Sequence, residues 1–221
     1  MERAAAVDRV NQLLDAVEGD PLPVPIREVW VYGDLALGLD PIDRLDVYLR
    51  KDMLFASELS EPHREERFEQ EYGIAGIGTT INAQWAETYP DRIQATSTGY
   101  AAPERCLAAH LVTQDEPIHL EICNAGFEQN VRQRLKGATA RDAWEEVLDP
   151  RAVCLYQEGT RSETASARLR AGEYVFPPLP EALEILGLSS SSAAQAAEAV
   201  STYRTSQEGR SVRGDVLAKE Q

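Results

Sequence analysis

Residues 29–52, VWVYGDLALGLDPIDRLDVYLRKD, read as a strand, a turn and a second strand. The run of Val29, Trp30, Val31 and Tyr32 is β-branched and aromatic, and it stops at Gly33. Gly38 and Pro41 mark the turn, and RLDVYLRKD resumes the strand pattern over residues 44–52. Strand side chains alternate between faces. Leu45, Val47 and Leu49 therefore share one side, and Arg44, Asp46 and Tyr48 share the other. Asp34, Asp43 and Asp46 crowd the join, so the pair is either a polar hairpin or the start of a metal–nucleotide site.

Around this unit the pattern is α/β. Residues 2–18 place Ala6, Val10, Leu13, Leu14 and Val17 on one face of an amphipathic helix ending at Gly19. Pro21, Pro23 and Pro25 then force an extended link. A charged helix is expected over 57–73, a glycine-bearing turn over 73–80, and short helices around Trp85 and from Pro103. EPIHLEICNAG gives a third strand in which Ile118, Leu120 and Ile122 alternate with His119, Glu121 and Cys123. FEQNVRQRLKG and ATARDAWEEVL form two helices separated at Gly137, and RAVCLYQEG a fourth strand. The expected architecture is a small mixed sheet of about four strands flanked by helices. It divides into a core over 1–158, a linker or irregular arm over 159–178, and a helical extension with a frayed tail over 179–221.

The formal charge of −15 on 221 residues argues against nonspecific attraction to nucleic acid or an anionic membrane. Its make-up is unusual: three lysines stand against 19 arginines and 37 acids. This resembles proteins of salt-in halophilic archaea, and the likeness implies that the acidity answers to the solvent. A cytoplasmic address is expected instead from residues 1–19, whose charges interrupt any signal-peptide pattern, and from the cysteines. At molar salt the Debye length is about 3 Å, so surface pairs are screened. No stretch approaches the roughly 18 apolar residues of a membrane span. Cys106, Cys123 and Cys154 are odd in number and widely spaced, as reduced buried thiols are.

The two-strand unit, with the HLEI strand, resembles the polymerase-beta-like nucleotidyltransferase superfamily over about residues 26–125. There a strand ends in Gly-Ser, a second strand carries Asp-apolar-Asp, and a later strand adds a third carboxylate. Gly33, Asp46 and Glu121 fall on those positions. The resemblance implies a site in which carboxylates hold paired Mg²⁺ ions and align a phosphoryl transfer. Two positions depart from it: Asp34 replaces the serine, and Arg44 replaces the first metal carboxylate. Asp43 turns to the opposite face and is no substitute. The candidate site is thus Gly33, Asp34, Arg44, Asp46 and Glu121, with Asp46 and Glu121 the metal candidates. A guanidinium beside Asp46 favours a charge pair over metal collection.

Two classes of function follow. The leading one is a binding or regulatory module on a nucleotidyltransferase-like core that has lost its metal site, with a nucleotide or a protein as partner. If the chain is an enzyme, it is a divergent nucleotidyltransferase, and Mg²⁺ enters only under that alternative. The other class is a DNA-binding regulator: LPEALEILGLSSSSAAQAAEAVSTYR, residues 179–204, resembles a helix-turn-helix that would present Ser191, Gln195 and Arg204 to nucleic acid. Glu198 and the net charge weigh against it, and a packed helical hairpin explains the same pattern. His63, His110 and His119 have no partners at metal-ligand spacing. GIAGIGTT lacks the Gly-Lys-Ser/Thr of a phosphate-binding loop.

Overall fold

The computed structural model describes residues 1–20, 22–52, 84–94 and 103–214. The charged helix expected over 57–73, His63 within it, and the glycine-bearing turn over 73–80 lie outside those residues.

Among the described residues the strands are β1 (Ile26–Tyr32), β2 (Leu45–Lys51), β3 (Ile118–Cys123), β4 (Ala152–Gln157), β5 (Thr160–Arg161) and β6 (Ser211–Gly214). They form one mixed sheet in the order β5-β4-β1-β2-β3-β6. β1 runs antiparallel to both β2 and β4, whereas β3 runs parallel to both β2 and β6. The α-helices are α1 (Arg3–Gly19), α2 (Gln84–Thr88), α3 (Pro103–Leu111), α4 (Phe127–Arg141), α5 (Glu163–Ala171), α6 (Leu179–Ile185) and α7 (Ser190–Thr205). None is long and apolar enough to cross a membrane.

The alternation in β2 is realised in the sheet. Val29, Val31, Leu45, Val47, Leu49, Leu120, Ile122, Val153 and Leu155 turn to one side and meet Val7, Val10 and Leu14 of α1, Leu107 and Leu111 of α3, and Leu169 of α5. Full burial of each such aliphatic side chain contributes about 1.5–3 kcal/mol, so this layer is the main source of cohesion. The opposite side mixes aromatic and charged groups under α4. Phe127 stacks on Trp30 at 4.8 Å and meets Tyr48 edge-on at 5.2 Å. Beyond it, Leu135 and Ala138 of α4 pack with Leu179 and Leu183 of α6 and with Ala193 and Ala196 of α7.

Three expectations need correction. The sheet has six strands where about four were expected, because β5 and β6 are edge strands of two and four residues. Such short strands carry no alternating apolar signal. Residues 159–178, expected as a linker or irregular arm, contain β5 and all of α5, which Ser162 caps by accepting the Ala165 N–H at 3.2 Å. Gly137 does not divide α4. A mid-helix glycine costs about 1 kcal/mol, and burial of Leu135 and Ala138 on either side of it outweighs that.

The tail also departs from expectation. Residues 211–214 pair with β3 in parallel and close the sheet edge.

Candidate functional site

Cross-strand register orders the polar face of the sheet into rows. Tyr32 lies opposite Asp46, Asp46 opposite His119, and His119 opposite Ser211. One pleat along, Trp30 lies opposite Tyr48, Tyr48 opposite Glu121, and Glu121 opposite Arg213. The rows place Asp46, 1% exposed, and Glu121, fully buried, on one covered surface.

Arginines meet both carboxylates. Arg44 donates from Nε to Asp46 Oδ1 at 2.8 Å, and its Nη2 lies 2.6 Å from the same oxygen. Arg204, in the last turn of α7, donates from Nη1 to Asp34 Oδ1 at 2.5 Å and brings Nη2 to 2.9 Å from Asp46 Oδ2. That second approach lacks the angle of a hydrogen bond, so Asp46 Oδ2 has a charge neighbour but no directed donor. Glu121 accepts from Arg134 on both oxygens, at 3.1 and 2.6 Å, and from Arg213 Nε at 2.5 Å. Its Oε1 also lies 3.1 Å from His119 Nε2, whose other ring nitrogen is 2.7 Å from Ser211 Oγ.

The two acids respond in opposite directions. Burial opposes ionisation of Glu121, but the hydrogen bond from His119 and the charges of Arg213, His119 and Arg134 outweigh it and hold the carboxyl well below its ordinary range. Asp46 is pushed up: burial exceeds the pull of Arg204 and Arg44. Burial, with Glu121 and Asp46 nearby, raises the Tyr32 phenol well above its usual value, so the hydroxyl keeps its proton.

Gly33, Asp34, Arg44 and Asp46 come together around Arg204, and Glu121 stands in the next row with Arg134 and Arg213. Gly33 adopts φ +67°, and a Cβ there would run into the Asp46 carboxylate. Among the described residues, no group of three or more His, Cys, Asp or Glu side chains is placed to hold a metal ion. Ser191 and Gln195 are exposed, but Arg204 turns away from them toward the sheet, so these three do not form one surface. Elsewhere, His110 is buried between Asp20 and Arg92.

Sequence reasoning missed Tyr32, Arg134 and Ser211, and read Arg213 only as a candidate contact for phosphate or an acidic partner, outside this site. A signal existed for two of them: Tyr32 follows from strand alternation, and Arg134 falls on the same helical face as Phe127, Asn130 and Val131. Arg213 and Ser211 lie in a tail without periodicity.

A protein family matches the chain across residues 2–217. The chain belongs to DUF7095, a family of unknown function. No curated protein and no solved structure matches it. For this DUF7095 member, function has to be argued from the arginine–carboxylate rows themselves. These neutralise charge and tie β2 and β3 to α4, α7 and β6.

Proposed function

We propose that this DUF7095 protein is a non-catalytic binding or regulatory module on a nucleotidyltransferase-like core, from a halophilic archaeon. One observation carries the reading: Arg44, Arg134, Arg204 and Arg213 engage the carboxylates that a two-metal site would require. Divalent cations need free carboxylate oxygens. The adjacency of β1, β2 and β3, with Gly33 ending the first and Asp46 and Glu121 on one face, supports the nucleotidyltransferase-like core. The count of 19 arginines against three lysines, in a chain of charge −15, supports the halophilic origin.

Thermal melting at molar KCl, with nucleoside triphosphates and with or without Mg²⁺, tests the reading. Ligands that bind the folded state raise the melting temperature. The expected result is no Mg²⁺-dependent rise and no nucleotidyl transfer. A Mg²⁺-dependent rise that Asp46→Ala abolishes would replace this reading with a working, divergent nucleotidyltransferase.

A further inference from the structure

We propose that Tyr32 and Asp46 build a site for one water molecule between the sheet and the end of α7. A cavity of about 40 Å³ lies there, lined by Tyr32, Gly33, Asp46, His119, Tyr203 and Arg204 among others. Tyr32 Oη and Asp46 Oδ2 are both deeply buried, and neither has a directed hydrogen-bond partner. Their residues are direct cross-strand partners and both line this cavity.

The chemistry of the lining selects the occupant. The phenol keeps its proton and offers a donor, while the carboxylate oxygen offers an acceptor. A ligand satisfying both must accept one hydrogen bond and donate another. Arg44, Arg204 and Arg213 line the same cavity and exclude a cation. The Asp46 carboxylate opposes an anion. The volume suits one water and is too small for a nucleotide or a sugar. Water is neutral and both donor and acceptor, and it completes the row from Tyr32 to Asp46. It also gives Asp46 Oδ2 the directed donor that the Arg204 guanidinium, 2.9 Å away, does not supply.

A crystal structure of the full chain grown in molar KBr tests this. The expected result is a single density peak within about 2.6–3.2 Å of both Tyr32 Oη and Asp46 Oδ2, without bromide anomalous signal. An anomalous peak in the cavity would make it a halide site and overturn the proposal, as would the absence of any peak between the two atoms. Tyr32→Phe crystals grown the same way should lose the peak or show it displaced toward Asp46. An unchanged peak would remove Tyr32 from the site. If that variant does not fold, the wild-type crystal decides alone.

Discussion

Arg204 binds Asp34 and Asp46 with one guanidinium, linking the last turn of α7 to the turn after β1 and to the first turn-side residues of β2. The two acids lie 170 and 158 residues earlier in the chain, so this contact is a long-range clamp. Removing one partner of a buried ion pair leaves an uncompensated charge behind. Arg204→Ala should therefore destabilise the protein by about 3 kcal/mol, read from urea unfolding at molar KCl. Asp34→Asn in the same background should recover part of that loss, because Asp34 is paired with Arg204 whereas Asp46 keeps Arg44. Strict additivity of the two changes would show that they do not interact.

Acid should expose the opposite behaviour of the two buried carboxyls. Glu121 is held below its ordinary value of 4.5 in the fold, so its contribution is fully present above that pH and declines as pH falls further. Glu121→Gln should flatten the fall in stability below about pH 4.5. Asp46 is shifted upward, so its protonation favours the fold as pH falls. Asp46→Asn removes that compensation and should steepen the acid loss. Unfolding midpoints between pH 7 and 3 measure both slopes, and equal slopes for the two variants would contradict the assignment.

Gly33 and Gly159 offer a matched comparison. Both have positive φ, at +67° and +84°. A Cβ on Gly159 meets nothing within 4 Å, whereas one on Gly33 meets the Asp46 carboxylate. Gly159→Ala should cost about 1–2 kcal/mol, the backbone term alone. Gly33→Ala should cost clearly more, because Asp46 must shift away from Arg44 and Arg204. Comparable losses in urea unfolding would mean that the carboxylate yields easily.

The residues of this site were unevenly legible in the sequence. Asp46 and Glu121 sit on strands whose alternation assigns each side chain a face, and the sheet keeps those faces. Arg44 follows the same rule and pairs with Asp46 beside it, but the arginine partners of Glu121 do not. Arg134 comes from a helix laid across the sheet, and Arg213 from a four-residue strand in which Val212 is the one apolar residue, too little for an alternating pattern. Helix α5 was obscured for a related reason: only Ser166 and Leu169 of it are buried, too few to give a clear periodicity. Short elements held by charge and edge pairing leave little trace in hydrophobic pattern.

Restoring a carboxylate at position 44 tests how near the site stands to metal chemistry. Arg44 and Asp46 are two residues apart at the start of β2 and share a face, the spacing with which paired carboxylates meet a common cation. Arg204 and Arg213 then remain as competing charges from α7 and β6. The combined variant Arg44→Asp, Arg204→Ala, Arg213→Ala removes three cations and adds one acid, a change of −4 that opens the Asp46 oxygens. Mn²⁺ should raise its melting temperature in a saturable way, through linkage to the folded state, and leave the wild-type protein unmoved. Arg44→Asp alone should respond weakly, since Arg204 still neutralises Asp46. If the combined variant folds and ignores Mn²⁺, the arginines are not what separates this site from a metal centre. A wild-type rise equal to the variant's would show that the guanidinium groups never blocked the cation.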